Sequence, residues 1–274
     1  MGLPPASRRD LDLPGTSYRR GLRARAATDV LIQQEIDRRR AETTETRPRS
    51  PSTDVLGSIL EVADHDGSGA VEDEAPLSDD EIRDQVRGLI AAGYDTTSSA
   101  ASWLVYALAR HPDALEAMRE QVSDVLGDRP PTIDDLRQLD TVDAVVRETL
   151  RLWPPAAVGL RRAVDPFEVL GHTIAGGTNI VYSPYVTHRL PEIWDDPTSF
   201  RPERWRGDEP ESGAYLPFGD GARRCLGFAL ATLELQVLAV RLAQFGTWRL
   251  TGGEVRPSGF ANLAPDGGMP IAID

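Results

Sequence analysis

Apolar side chains recur with a helical period up to about Pro155, and short β-like runs between glycine-rich turns replace them beyond it. Between Tyr18 and about Arg40, Leu22, Ala26, Val30 and Leu31 mark the apolar positions of a first helix. Its basic end, Arg38-Arg39-Arg40, suits the negative pole of a helix C-terminus. A short helix is predicted around Asp54–Val62. In Leu77-Ser78-Asp79-Asp80-Glu81, Ser78 is placed to cap a helix and Glu81 to complete the capping box. That helix is predicted to run past Ala100 towards Arg110, long for a globular protein. Pro112 suits a first helical position, and a helix over Val142–Leu152 stops at Trp153-Pro154-Pro155, because the residue before a proline is pushed out of helical geometry. Phe167–Leu170, Thr178–Tyr182 and Thr247–Leu250 read as short strands. Residues 1–17, the Ser/Thr/Pro stretch 43–53 and the acidic stretch up to Pro76 read as loops. No internal repeat is present. The fold class expected is mainly α with small peripheral β-sheets.

Composition narrows the class without deciding it. The 274 residues, 40% hydrophobic and 27% charged, are ordinary globular composition. A net charge of −13 argues against a nucleic-acid partner. One cysteine excludes an internal disulfide and fits a reducing compartment. The N-terminal residues lack the apolar core of a signal peptide, and the best apolar run near the C-terminus is broken by Glu234 and Arg241. A cytoplasmic protein that does not enter a membrane is expected.

The chemistry concentrates around the lone cysteine. Phe218-Gly219-Asp220-Gly221-Ala222-Arg223-Arg224-Cys225-Leu226-Gly227 is a glycine-punctuated loop running into an apolar pattern of helical period. Cys225 is therefore expected at a helix N-terminus, where unpaired N–H groups, the helix dipole and the flanking arginines favour a thiolate. A lone cysteine is more commonly a small buried hydrophobe, but this setting speaks against that. In the long helix, Ala91-Ala92-Gly93-Tyr94-Asp95-Thr96-Thr97 is poor helical material, glycine alone costing about 1 kcal/mol against alanine. A local bulge or kink is expected there. Ala92 and Gly93 would leave room for a small ligand, and Asp95 and Thr96 supply an acid and a hydroxyl. Glu148 and Arg151 stand three apart on one helix face, a pair that is most often a solvated contact. Arg204 follows in a proline-stiffened Pro202-Glu203-Arg204-Trp205 turn. Asp64-His65-Asp66-Gly67-Ser68-Gly69 begins like a calcium loop, but its twelfth position is Ala75, with Glu74 one residue early, so a solvated acidic loop is the better reading.

Together these segments occur in an order that resembles the cytochrome P450 family of haem-thiolate monooxygenases, of the bacterial soluble type. The Cys-loop motif is the specific part of the match; Glu-x-x-Arg alone is weak. The resemblance runs from about Tyr18 to the C-terminus and implies one haem-thiolate domain over residues 1–274. It implies that Cys225 is the axial ligand of haem b, iron protoporphyrin IX. Phe218, Gly219 and Gly227 would shape the loop around the sulfur. Arg223 and Arg161 would contact the haem propionates. Glu148, Arg151 and Arg204 would form a buried network under the loop, costing about 3–5 kcal/mol if broken from one side. Asp95 and Thr96 would deliver protons to iron-bound dioxygen, with Ala92 and Gly93 as the oxygen groove. The implied reactants are O2 and an apolar small molecule, with Val158-Gly159-Leu160 and Phe260-Ala261-Asn262 lining the pocket. Electrons would come from a ferredoxin or flavodoxin-type donor with its NAD(P)H reductase. Arg201, Arg204, Arg206, Arg223 and Arg224 flank the cysteine loop; with Arg204 and Arg223 internal, the others would still form a basic patch for that donor.

The chain departs from the family pattern at its start. Its first helix resembles the family's G helix, so helices A through F have no counterpart, and the chain is expected to be an N-terminally truncated fragment that binds haem weakly or not at all and is not by itself a competent oxygenase. Two alternatives stand beside the monooxygenase. One is isomerase or peroxygenase chemistry without external electrons, against which Asp95-Thr96 speaks. The other is an inactive fragment with a binding role or none.

Overall fold

The computed structural model describes residues 15–42, 54–64, 76–246, 248–259 and 262–273. The candidate calcium loop at 65–75, the linker at 43–53, most of the N-terminal loop, and Phe260 and Ala261 lie outside these residues.

The chain divides into two units, Met1–Ala92 and Gly93–Asp274. The first holds α1 (Ser17–Glu42), α2 (Val55–Ala63) and the opening turns of α3 (Asp79–Arg110). Ile32 and Ile36, one turn apart on α1, pack with Leu60, Ala63 and Ile82. The expected apolar positions Leu22, Ala26, Val30 and Leu31 are all exposed instead, because only the C-terminal half of α1 buries residues in this unit. Arginines at that end pair across the unit: Arg39 with Asp54 at 2.6 Å, and Arg40 with Asp79 at 2.7 Å and Asp64 at 3.0 Å. The start of α3 is as the sequence indicates. The Ser78 amide donates to Glu81 Oε2 at 2.8 Å, and the Glu81 amide to Ser78 Oγ at 3.4 Å.

The second unit is built on α4 (Pro112–Leu126), α6 (Asp140–Leu152) and α8 (Phe228–Gln244), packed with the second part of α3. Leu104, Leu108, Met118, Val145, Leu150, Leu235 and Val240 form its centre. The one-turn helices α5 (Ile133–Leu136) and α7 (Pro184–Thr187) start on side-chain caps from Thr132 and Ser183. Four antiparallel two-stranded ladders lie among the described residues. They pair β1 (Gly159–Arg162) with β4 (Asn179–Tyr182), and β2 (Phe167–Val169) with β3 (His172–Ile174). The others pair β5 (Trp248–Leu250) with β8 (Ile271–Ile273), and β6 (Pro257–Ser258) with β7 (Ala264–Pro265). The architecture is mainly α with small sheets.

The expected bulge is also absent. Residues 91–97 are helical throughout, with no wider turn in α3. The Ser98 hydroxyl donates to the Tyr94 carbonyl at 2.6 Å, using a second lone pair without displacing the helical bond. Among the described residues, no helix is long and apolar enough to cross a membrane.

Candidate functional site

Residues of α6 form the base of the site. Glu148 and Arg151 are fully buried. The Arg151 guanidinium meets the carboxylate in a two-bond fork, Nε to Oε2 and Nη2 to Oε1, both at 2.9 Å. Three more donors converge on Glu148: Arg204 Nε at 3.1 Å, Trp205 Nε1 at 2.9 Å and the Arg201 amide at 2.8 Å. Arg204 and Trp205 belong to a 3-10 turn, Pro202–Arg206. The remaining Arg151 protons go to the carbonyls of His188, Pro197 and Ser199 at 2.7, 2.7 and 3.0 Å. The i,i+3 pair is thus a saturated interior network, and the structure brings Glu148, Arg151 and Arg204 together as expected.

His188, at the end of α7, carries this network towards the cysteine loop. Its Nε2 accepts the Leu216 amide at 2.7 Å, so the ring proton sits on Nδ1, which donates to the Arg151 carbonyl at 3.0 Å. The side chain is fully buried, and that burial pushes its pKa down to about 4. Sequence reasoning missed this residue. The loop then closes on itself: the Gly219 amide bonds the Leu216 carbonyl at 3.1 Å, and the Cys225 amide the Phe218 carbonyl at 2.9 Å. Gly219 and Gly221 have φ of +69° and +65°, the left-handed conformation that glycine takes without a Cβ penalty. Phe218 packs against the core of the unit. Cys225 is free and exposed, and it precedes α8 by three residues, with Gly227 in the N-cap position. The sulfur therefore stands just ahead of the helix start, not within its first turn.

Arg161 and Tyr182 flank the loop. The Arg161 guanidinium lies 5.2 Å from the Tyr182 ring centre. The Tyr182 hydroxyl stands 3.4 Å from where a Cβ on Gly219 would be, so the β1–β4 ladder touches the loop. Arg223 and Arg161, the expected propionate contacts, are both exposed. Ala92 closes the first unit, and Gly93, Asp95 and Thr96 open the second. A methyl group on Gly93 would meet nothing within 4 Å, so packing does not demand glycine there. Asp95 is exposed and Thr96 half-buried. The Asp95 carbonyl accepts the Asn262 side-chain amide at 3.1 Å, and that amide also reaches Ser99 Oγ at 2.8 Å. Asn262 of the expected pocket turn is thereby tied to α3.

The donor set indicates what kind of metal group the thiol can serve. Among the described residues, no cluster of three His, Cys, Asp or Glu side chains is placed to hold an ion. A metal at Cys225 must therefore bring its other ligands with it. Leu226, Phe228 and Leu230 beside it are 82%, 37% and 60% exposed, an apolar surface suited to a flat macrocycle. A Cβ at position 227 would stand 3.9 Å from the sulfur, an ordinary contact, so Gly227 lies directly beside the thiol. These residues fit a haem carrying its own four nitrogens.

The family model described as Cytochrome P450 matches residues 7–259. The chain belongs to the cytochrome P450 family. Among its relatives, cytochrome P450 139 of Mycobacterium tuberculosis is 39% identical over 264 residues, covering 93% of this chain and 58% of that protein. The cyclooctat-9-en-7-ol 5-monooxygenase of Streptomyces melanosporofaciens is 35% identical over 241 residues, covering 87% of this P450 chain and 50% of the relative. The solved structure of a retinoic acid bound cyanobacterial CYP120A1 superposes with a TM-score of 0.82 at 29% identity, over 97% of this chain and 59% of the other. This P450 chain thus spans little more than half the length of the relatives it matches.

Proposed function

We propose that this chain carries the haem-binding and oxygen-handling portion of a monooxygenase that inserts one atom of O2 into an apolar small molecule. The observation that carries the reading is an exposed lone thiol on a loop anchored, through His188, to the buried Glu148–Arg151–Arg204 network. Bound haem b would supply reductive activation of dioxygen at its iron.

In this reading Cys225 is the axial thiolate, and Phe218, Gly219 and Gly227 hold the loop around its sulfur. Arg161 and Arg223 are exposed cations near or within the loop, available to pair with haem propionates. Asp95 and Thr96 move protons towards dioxygen, with Ala92 and Gly93 leaving room for it. The name of the Streptomyces relative, a monooxygenase of cyclooctat-9-en-7-ol, supports an apolar substrate here. Electrons come from a ferredoxin or flavodoxin-type protein docking near Arg224. The family match runs across both units, which supports a single haem-thiolate domain. The single cysteine supports a reducing, cytoplasmic setting.

Haemin titration followed by alkylation tests the reading, because Cys225 is the only thiol. Rising haemin should protect Cys225 from iodoacetamide. The reduced, carbonyl-bound complex should show a thiolate Soret signature that the Cys225→Ser chain lacks. Full alkylation at saturating haemin, or an unchanged spectrum in the serine chain, overturns it.

A further inference from the structure

We infer that His188 is a positioning residue for the cysteine loop, its Nδ1 proton held by the Arg151 carbonyl so that Nε2 anchors the Leu216 amide. The inference rests on the reading of Cys225 as haem ligand only for its functional consequence. The geometry stands without it.

Three observations carry it. First, the ring is bonded at both nitrogens to main-chain groups of different elements, α6 at 3.0 Å and the loop at 2.7 Å. Two such bonds fix the ring plane and tautomer, and tie Leu216 to the backbone of the residue whose side chain holds Glu148. Second, the link works in both directions at His188: the backbone carbonyl takes an Arg151 proton at 2.7 Å while the ring donates to the Arg151 carbonyl. Displacing Arg151 would therefore move both ends of His188. Third, among the described residues no other side chain outside the loop hydrogen-bonds to the segment 216–225. The remaining bonds of the segment are internal, from Gly219 to Leu216, Gly221 to the Asp220 side chain, Arg224 to Gly221 and Cys225 to Phe218. The loop is held against α6 by this imidazole, by the neighbouring Tyr215 hydroxyl, which donates to the Arg147 carbonyl at 3.1 Å, and by the packing of Phe218.

A neutral imidazole is required, because a protonated Nε2 cannot accept the Leu216 N–H. The surroundings keep it neutral. Burial is the main cause, Arg151 and Arg189 oppose a further positive charge, and the rings of Trp194 and Tyr215 lie 6.2 and 5.5 Å away.

The experiment compares His188→Phe, which keeps an aromatic ring but neither bond, with His188→Gln, which offers a donor and an acceptor. Amide hydrogen exchange of the chain without haem is the first readout. A lost buried amide bond is expected to speed exchange at Leu216, Gly219 and Cys225 by roughly tenfold more than at Trp153, which bonds Thr149 within α6. His188→Gln should recover most of that protection. The second readout is the carbonyl complex at saturating haemin, where His188→Phe should lose part of the thiolate signature and His188→Gln regain it. Uniform acceleration across the unit would mean that His188 only stabilises it, and would overturn the inference, as would unchanged exchange at Leu216. Because the first readout needs no haem, failure of the haem-ligand reading would show in the spectra while leaving the exchange result intact.

Discussion

Replacing Glu148 by glutamine is the sharpest test of the buried network. The carboxylate accepts five bonds, from Arg151 twice, Arg204, Trp205 and the Arg201 amide, at 2.8 to 3.1 Å. An amide of the same shape keeps one acceptor oxygen and turns an NH2 towards two or three of those donors. It also removes the only carboxylate on Arg151, whose other partners are neutral carbonyls in a site with no exposed surface. Breaking a buried pair from one side costs about 3–5 kcal/mol, a large part of the roughly 5–15 kcal/mol that holds a domain folded. Urea unfolding followed by tryptophan fluorescence reads the right region, since all five tryptophans lie in the second unit. The midpoint should fall sharply at an unchanged slope. The control is Glu209→Gln, which loses an exposed partner of Arg147 and should cost less than about 1 kcal/mol. A loss at Glu148→Gln no larger than the control would refute the argument that this ion pair is interior and indispensable.

Three further outcomes follow from other features. The His188 pKa lies at about 4, below its ordinary 6.5, so the unfolded chain takes up the proton first and the second unit should lose up to about 3 kcal/mol as pH falls from 6.5 through 4. His188→Gln should flatten that share of the pH dependence; curves that stay parallel in this window would contradict it. A methyl group at Gly159 would stand 2.1 Å from Tyr182 Cζ, so Gly159→Ala should lower the melting midpoint by the equivalent of about 1–3 kcal/mol. Adding Tyr182→Ala should restore much of it, and equal midpoints for Gly159→Ala and the parent chain would defeat the packing argument. Arg224, stacked 4.0 Å over Phe228, should matter for docking alone. Arg224→Glu should slow reduction by an acidic donor, most strongly at low salt, at unchanged haem content; an unaltered rate would count against that surface.

What the sequence revealed was whatever is written in side-chain identity. The Ser78–Glu81 box, the proline starts and stops and the glycine turns of the cysteine loop all depend on particular residue types at fixed spacing, whereas the buried Glu148–Arg151–Arg204 network followed only from the family resemblance, its spacing alone reading as a solvated pair. His188 was invisible because its partners are a carbonyl and an amide, which every residue carries. The α1 face was misjudged for a related reason: Leu22, Val30 and Leu31 have the right period, but burial depends on what lies opposite, and in the first unit Ile32 and Ile36 take that place. The bulge expected from Gly93, Thr96 and Thr97 did not form, since propensity near 1 kcal/mol per residue yields to the hydrogen bonds of a long helix. Thr132 and Asp135 carried a readable signal for α5, a reciprocal cap that the pattern Thr-x-x-Asp announces.

The five-donor arrangement at Glu148 also restricts how this protein can change over generations. A substitution that removes the carboxylate at position 148 strands two guanidinium groups at once, and loss of Arg151 leaves three carbonyls without their donor. Intermediates on the way to a different solution would carry much of the cost of a broken buried pair, so this stretch of α6 is constrained to change slowly. Diversity must instead enter through segments such as the β2–β3 hairpin, whose strands bury no side chain and which can drift without penalty.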